Sequence, residues 1–117
     1  AFVALRSGHL LGFISGGEIR EPVAEFDAEL YAIYLLKAEQ RAGIGAALTQ
    51  QFARRLIEMG RRSMIVRVLT ANPACAFYER LGGELVAEGI HTVDGVPYPE
   101  RVYGYRDLRR LVGRESV

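Results

Sequence analysis

The chain of 117 residues lacks the features that mark several large classes of protein. It has a single cysteine, Cys75, which excludes an internal disulfide framework and favours a reducing, cytoplasmic setting. Its net charge is +1, so no global field indicates binding to nucleic acid or to a membrane surface. No apolar run approaches the roughly 20 residues of a membrane-spanning helix, and no signal peptide is visible. The two histidines, His9 and His91, have no partner motif, so we expect no metal site.

The segment Gln40–Ala46 (Gln-Arg-Ala-Gly-Ile-Gly-Ala) lies between a strand-like run and an amphipathic helix. Gly43 and Gly45 allow the backbone to approach a ligand closely, because no Cβ stands in the way. The unpaired amides and the positive dipole end of the helix that follows suit a phosphate group. Arg41 supports this interpretation, because a cation at a helix N-terminus is unfavourable unless an anion is present. The alternative is a simple helix entry in which glycine serves the turn geometry.

The residues around this segment exclude two common phosphate-binding motifs. A P-loop requires Lys and then Ser or Thr after its last glycine, whereas Ala46 and Ala47 follow Gly45. A dinucleotide fingerprint requires a third small residue where Leu48 stands. It also requires an acidic residue about 20 positions further on, and residues 61–67 contain none. The pattern therefore predicts a phosphate compound other than a simple nucleotide or NAD.

Periodicity predicts one mixed α/β domain over residues 1–117. An apolar stripe at spacings of three and four predicts a helix from Gly43 to Gly60. The stripe consists of Ile44, Leu48, Phe52, Leu56 and Met59. Asn72-Pro73 opens a second helix, with Asn as N-cap and Pro at the first helical position, and Gly82-Gly83 ends it. A strand, a helix and a strand at this length form a βαβ unit, so its two strands should be parallel. The predicted strands are residues 2–5, 10–15, 29–36, 64–69, 84–90 and 101–106, the last one antiparallel after a loop at 91–100.

The order of these elements, together with two motifs, resembles the GNAT superfamily of N-acetyltransferases. The first motif, Gln40-x-x-Gly43-x-Gly45, matches the loop that binds the pyrophosphate of acetyl-CoA in that family. The second, Asn72 followed by Ala76-Phe77-Tyr78-Glu79-Arg80-Leu81-Gly82-Gly83, is similar to its Asn…Phe-Tyr-Glu-x-Leu-Gly segment. The resemblance implies an α/β (α+β) fold with a mixed, mostly antiparallel sheet, a central βαβ unit and splayed parallel strands. It also implies that an N-terminal strand and two helices of the family are missing before Ala1.

The resemblance implies how acetyl-CoA would be held. Amides of the loop and the side chains at its start would bind the pyrophosphate. The backbone of the strand before the loop would pair with the pantetheine arm like an added strand, and the Leu35 amide would polarise the thioester carbonyl. Asn72 stands six residues before Tyr78, where many members have seven, and its N-cap role already explains it. The cofactor-binding residues so assigned are Ile33, Tyr34, Leu35, Gln40, Arg41, Ala42, Gly43, Ile44, Gly45, Ala46 and Asn72.

Two residues are candidates for the proton transfers. Glu29 lies fourteen positions before Gly43, where the histone-acetyltransferase branch of the superfamily carries its catalytic glutamate, and could act as general base. The alternative is a solvated carboxylate at the start of a strand. Tyr78 matches the family's usual acid, which would protonate the CoA thiolate. The alternative for Tyr78 is a core aromatic residue beside Phe77.

The resemblance thus implies an N-acetyltransferase that moves an acetyl group directly from acetyl-CoA to a primary amine of a small molecule or peptide. The alternatives are a non-catalytic acyl-CoA-binding or sensor module and a structural domain without a ligand. The acceptor stays unassigned, and dimerisation, which is common in the family, stays open. We interpret the C-terminal arginines as a solvated tail rather than a site for an acidic partner. These arginines are Arg106, Arg109, Arg110 and Arg114.

Overall fold

The computed structural model describes residues 2–6, 9–35 and 43–113, which form six strands and three helices. None of the helices in these ranges is long and apolar enough to cross a membrane. The elements in chain order are β1 Phe2–Arg6, β2 His9–Gly17, β3 Glu29–Leu35, α1 Ile44–Glu58, β4 Met64–Leu69, α2 Ala74–Arg80, β5 Glu84–Val93, β6 Val96–Tyr105 and α3 Leu108–Gly113.

The six strands form one sheet in the order β1-β2-β3-β4-β6-β5. Only β3 and β4 run parallel, and every other neighbouring pair is antiparallel. The helix α1 connects β3 to β4, because parallel neighbours need a crossover connection. The mixed, mostly antiparallel sheet with a central βαβ unit is therefore confirmed.

The two parallel strands are paired only where they begin. Glu29 pairs with Ile65 and Leu30 with Val66, although β3 continues to Leu35. Beyond these pairs the two strands share no further register, so the splay that the resemblance implied is confirmed. On its other edge β3 stays paired with β2, with one irregularity that leaves Tyr31 as an extra residue.

The helices and one face of the sheet enclose the main core. The α1 stripe behaves as its periodicity predicts, since Leu48, Phe52 and Leu56 are all buried. Met59, which the stripe also included, is exposed, because α1 ends at Glu58 and the chain turns away. The core therefore holds α1 against α3 and against the β1–β2 side of the sheet.

The prediction of a loop at residues 91–100 is wrong. The chain there forms the tip of a long β5–β6 hairpin that turns at Asp94-Gly95, with φ of 51° and 79°. Two successive residues with positive φ match a two-residue hairpin turn, for which Asp-Gly is a preferred sequence. Pro97 and Pro99 lie in this hairpin, although proline is unfavourable inside a sheet. They are tolerated because β6 pairs with β4 only from Glu100 onward, which leaves β5 as its sheet neighbour here.

The C-terminal segment is also different from the predicted solvated tail. Residues Leu108–Gly113 form the helix α3, which packs against α1 and buries Leu108 and Leu111. The Leu108 amide donates a hydrogen bond to the Arg62 carbonyl at 3.0 Å, which joins α3 to the end of the βαβ helix connection. Arg114 lies outside the described residues. The described arginines of this segment are exposed, namely Arg106, Arg109 and Arg110.

Candidate functional site

Three elements meet where β3 and β4 diverge. A Cβ added at Gly45, in the first turn of α1, would lie 3.2 Å from Cδ1 of Leu35 and 3.3 Å from the ring of Phe77. Leu35 ends β3, and Phe77 lies in the middle of α2. The structure therefore brings the end of the predicted pantetheine strand, the start of α1 and the second motif to one place.

The backbone amides in the first turn of α1 lack a side-chain cap from the described residues. Gly43 precedes the helix with a φ of 82°, a left-handed conformation that favours glycine. No side chain of the described residues caps this end, and no acidic residue lies in the first turn. Its first amides therefore stay available to an anion. Ile44, Gly45 and Ala46 lie here as predicted, whereas Gln40, Arg41 and Ala42 lie outside the described residues.

The far half of β3 has one free edge. Ile33, Tyr34 and Leu35 pair with β2 on one side, and the edge that faces β4 has no strand partner in the described chain. An extended amide chain can add to such an edge as an extra strand. The side chain of Tyr34 is exposed and stacks on Phe13, with ring centroids 5.7 Å apart.

Tyr78 lies on the buried side of α2. Its side chain is buried and packs edge-on against Phe77, with ring centroids 5.1 Å apart. The hydroxyl makes no hydrogen bond with any described residue, whereas the Tyr78 carbonyl accepts one from the Tyr105 hydroxyl at 2.7 Å. Burial raises the pKa of Tyr78 to about 12, so the phenol keeps its proton at neutral pH. Tyr78 can therefore be a core aromatic residue and still carry a hydroxyl that donates a proton.

Asn72 serves the start of α2. Its Oδ1 accepts a hydrogen bond from the Ala74 amide at 2.8 Å, and the helix itself begins at Ala74, with Pro73 at its cap position. The observed cap is therefore one residue later than the predicted one, and the Asn72 side chain closes a turn just before it. This use of Oδ1 leaves the amide nitrogen for any contact to a cofactor. Cys75, the next residue but two, is buried as expected.

Glu29 is buried rather than solvated. Its Oε1 accepts the Arg20 backbone amide at 3.0 Å, and its Oε2 accepts Nη2 and Nε of the same arginine at 2.6 and 3.2 Å. Nε of Arg67 lies 3.6 Å from Oε2. The carboxylate thus lies between two guanidinium groups, which is how a buried charge is commonly stabilised. The proposed role of Glu29 as base depends on these two arginines.

Neither arginine was among the predicted site residues. Arg20 follows β2 in a polar segment between two predicted strands, and no local pattern marks it. Arg67 carried a usable signal, because it interrupts the otherwise apolar strand β4. A charged residue inside such a strand requires a partner, and Glu29 on the parallel neighbour supplies it.

Comparisons with known proteins agree with this geometry. The sequence profile of the FR47-like protein family matches residues 11–91. The chain is 42% identical over 104 residues to the uncharacterized N-acetyltransferase YuaI of Bacillus subtilis (strain 168), covering 89% of this chain and 60% of that protein. It therefore spans less than two thirds of the length of this relative.

Solved structures show the same fold. An acetyltransferase of the GNAT family from Desulfovibrio desulfuricans superimposes with a TM-score of 0.74 at 20% identity, over 91% of this chain and 67% of that one. The acetyltransferase yncA from Salmonella typhimurium, solved with its cofactor acetyl-CoA, gives 0.72 at 20% identity, over 89% and 62%. The chain belongs to the FR47-like family and has the fold of the GNAT acetyltransferases.

Proposed function

We propose that the protein is an acetyl-CoA-dependent N-acetyltransferase that transfers the acetyl group directly to a primary amine. The observation that carries the proposal is the unpaired edge of β3, which lies beside the uncapped first turn of α1. An amide-containing pantetheine arm and a pyrophosphate are the two chemical groups that such an edge and such a helix start bind. The cofactor in the Salmonella structure supports the same ligand.

In this proposal the cofactor is held mainly by backbone. The amides of Ile44, Gly45 and Ala46 bind the pyrophosphate, together with the preceding residues 40–43. The backbone of β3 at residues 33–35 pairs with the pantetheine arm, and Asn72 adds a contact from the start of α2. Backbone contacts of this kind tolerate variation in side chains, because each residue offers the same amide and carbonyl.

The transfer step requires three proton movements. Since an alkyl ammonium has a pKa near 10, it must lose one proton before attack, which Glu29 accepts directly or through water. The amine nitrogen then attacks the thioester carbonyl carbon and the new C–N bond forms, while a free backbone amide of β3 stabilises the developing oxyanion. Because six strand residues, roughly 20 Å, separate Leu35 from Glu29, this amide lies earlier in the splayed part of β3 than Leu35. The C–S bond breaks, the nitrogen gives its second proton to water, and the CoA thiolate takes a proton from the Tyr78 hydroxyl, which water then restores.

A thiol-release assay tests this function. The full-length protein is incubated with acetyl-CoA and a panel of primary amines, and free CoA thiol is measured together with binding of acetyl-CoA by calorimetry. Amine-dependent thiol release is the expected result. If the protein binds acetyl-CoA but no amine causes thiol release, the protein is an acyl-CoA-binding module rather than an enzyme. Absence of binding would remove acetyl-CoA as the ligand.

A further inference from the structure

We propose that Arg20 selects the acceptor: it binds a carboxylate of the incoming amine and, in doing so, releases Glu29. This inference rests on the proposed transfer to an amine and adds the substrate class, an amine that also carries a carboxylate, as in an amino acid. It follows from the contacts of four side chains on β3, β4 and the segment after β2.

Arg20 is the exposed member of the cluster around Glu29. The side chain of Glu29 is 0% exposed, that of Arg67 is 18% exposed and that of Arg20 is 58% exposed. Arg67 is also held elsewhere, because its Nη2 donates to the Glu21 carbonyl at 2.7 Å and its Nη1 lies 3.9 Å from Glu100. A molecule that arrives from solvent therefore meets Arg20 before it meets the Glu29 carboxylate.

Arg20 retains donors for a second anion. Its Nε and Nη2 serve Glu29, and Nη1 makes no hydrogen bond with the described residues. The guanidinium carbon lies 4.6 Å from the centroid of the Tyr31 ring, and the Tyr31 hydroxyl donates to the Glu18 carbonyl, which orients that ring. A planar guanidinium with unused donors, supported by an aromatic face, suits a carboxylate, which it can bind through two parallel hydrogen bonds.

An acceptor carboxylate can replace Glu29 as the partner of Arg20 without leaving a cation unpaired. The guanidinium then exchanges one carboxylate for another, while Arg67 stays near Oε2 of Glu29 at 3.6 Å. Oε2 of Glu29 loses its closest side-chain donors in this exchange and becomes free to accept a hydrogen bond from the amine. An amine without a carboxylate offers Arg20 no substitute, so Glu29 stays paired.

The test uses matched pairs of acceptors, each an amino acid and the amine that remains when its carboxylate is removed. Thiol release from acetyl-CoA by the full-length wild-type protein should favour the amino acid of a pair. Arg20→Ala should lower kcat/KM for the amino acid by about tenfold or more, mainly through KM, because a hydrogen-bonded ion pair is lost. The decarboxylated amine should lose no activity. Arg20→Lys should restore part of the preference, because it keeps the charge beside Glu29 but lacks the planar fork.

Arg55→Ala is the matched control. Arg55 is 57% exposed and also paired with a carboxylate, that of Glu58 on the outer face of α1. This variant should keep the wild-type preference. Equal losses for both members of a pair in Arg20→Ala, or a wild-type preference for the decarboxylated amines, would overturn the proposal.

Binding separates this inference from the proposed function. Saturation-transfer NMR of the same amino acids, with CoA present and no turnover, should show binding to the wild type and to Arg20→Lys and little binding to Arg20→Ala. Arg20-dependent binding without thiol release would refute the transferase and keep the carboxylate site. Thiol release with no difference in binding between wild type and Arg20→Ala would refute the carboxylate site and keep the transferase.

Discussion

The two ends of the β3–β4 pair differ in how far the protein satisfies its own polar groups. At the beginning of the strands, Asp27 accepts hydrogen bonds from the Arg62 amide at 3.2 Å and from the Ser63 amide and hydroxyl at 3.0 Å each. At the other end, the β3 edge, the first amides of α1 and the Tyr78 hydroxyl have no partner in the described chain. Satisfied groups stabilise the fold, whereas unsatisfied ones are available to a ligand.

We call the beginning of the strands, around Asp27, the closed end, and the region around the free edge of β3 the open end. This difference predicts that substitutions at the closed end change stability, and that substitutions at the open end change binding or turnover. The largest effect is expected at the closed end. Leu108→Ala should lower the free energy of unfolding by about 3 kcal/mol, because the fully buried side chain leaves a cavity between α3 and the core. Urea unfolding measures it. The affinity for acetyl-CoA at 25 °C should stay within about twofold, and a larger change would show that the two ends are coupled.

Tyr78→Phe is the corresponding change at the open end. It removes one hydroxyl that makes no hydrogen bond with the described residues, so stability should hardly change. Turnover should fall by about 100-fold if the hydroxyl protonates the thiolate. The rate is measured by following the release of CoA thiol over time. Calorimetry should give an unchanged Kd for acetyl-CoA. A wild-type rate in this variant would remove Tyr78 from the mechanism.

Asp27→Asn tests the closed end through pH. Burial alone would raise the pKa of Asp27, but hydrogen bonds from Ser63 and Arg62 outweigh it and hold the pKa below the usual 3.8. A carboxyl with a lowered pKa stabilises the fold at pH values above its unfolded pKa, and this contribution is lost as the pH falls through the folded pKa. The variant should therefore be about 2 kcal/mol less stable at pH 7, with a smaller difference below about pH 4. A constant difference from pH 7 to pH 3 would contradict this assignment.

Gly45→Ala, where α1 meets β3 and α2, should have the smallest effect of these substitutions. The added Cβ meets only the ends of the Leu35 and Phe77 side chains, at 3.2 and 3.3 Å, and these can shift slightly. We expect the Kd for acetyl-CoA to rise by about threefold to tenfold, which corresponds to roughly 1 kcal/mol. Gly89→Ala is the control, since nothing lies within 4 Å of its added Cβ. Equal effects in both variants would argue against a cofactor beside Gly45.

Much of this architecture could be predicted because local rules determined it. The α1 stripe and the apolar run of β4 place both elements within a residue or two of their observed bounds. The hairpin at Asp94-Gly95 also had a local signal, and the two prolines beside it concealed that signal. The helix α3 is short, and two leucines three residues apart do not distinguish a buried helix from a tail.

The electrostatics of Glu29 could not be predicted in the same way. Its position before the glycine loop suggested a base, but its partner Arg20 is nine residues away along the chain and Arg67 thirty-eight. No periodicity connects such residues, because only the pairing of β3 with its neighbours brings them together.

By itself, the sequence determined the order of helices and strands from β1 to β6, the family and the glycine-rich start of α1, because periodicity, turn chemistry and short motifs act over a few neighbouring residues. Only the tertiary structure decided where β3 and β4 part, which polar groups are left without a protein partner, and that a buried carboxylate lies between two arginines. These outcomes depend on distances between segments far apart in the chain, and the packing of the whole sheet sets those distances.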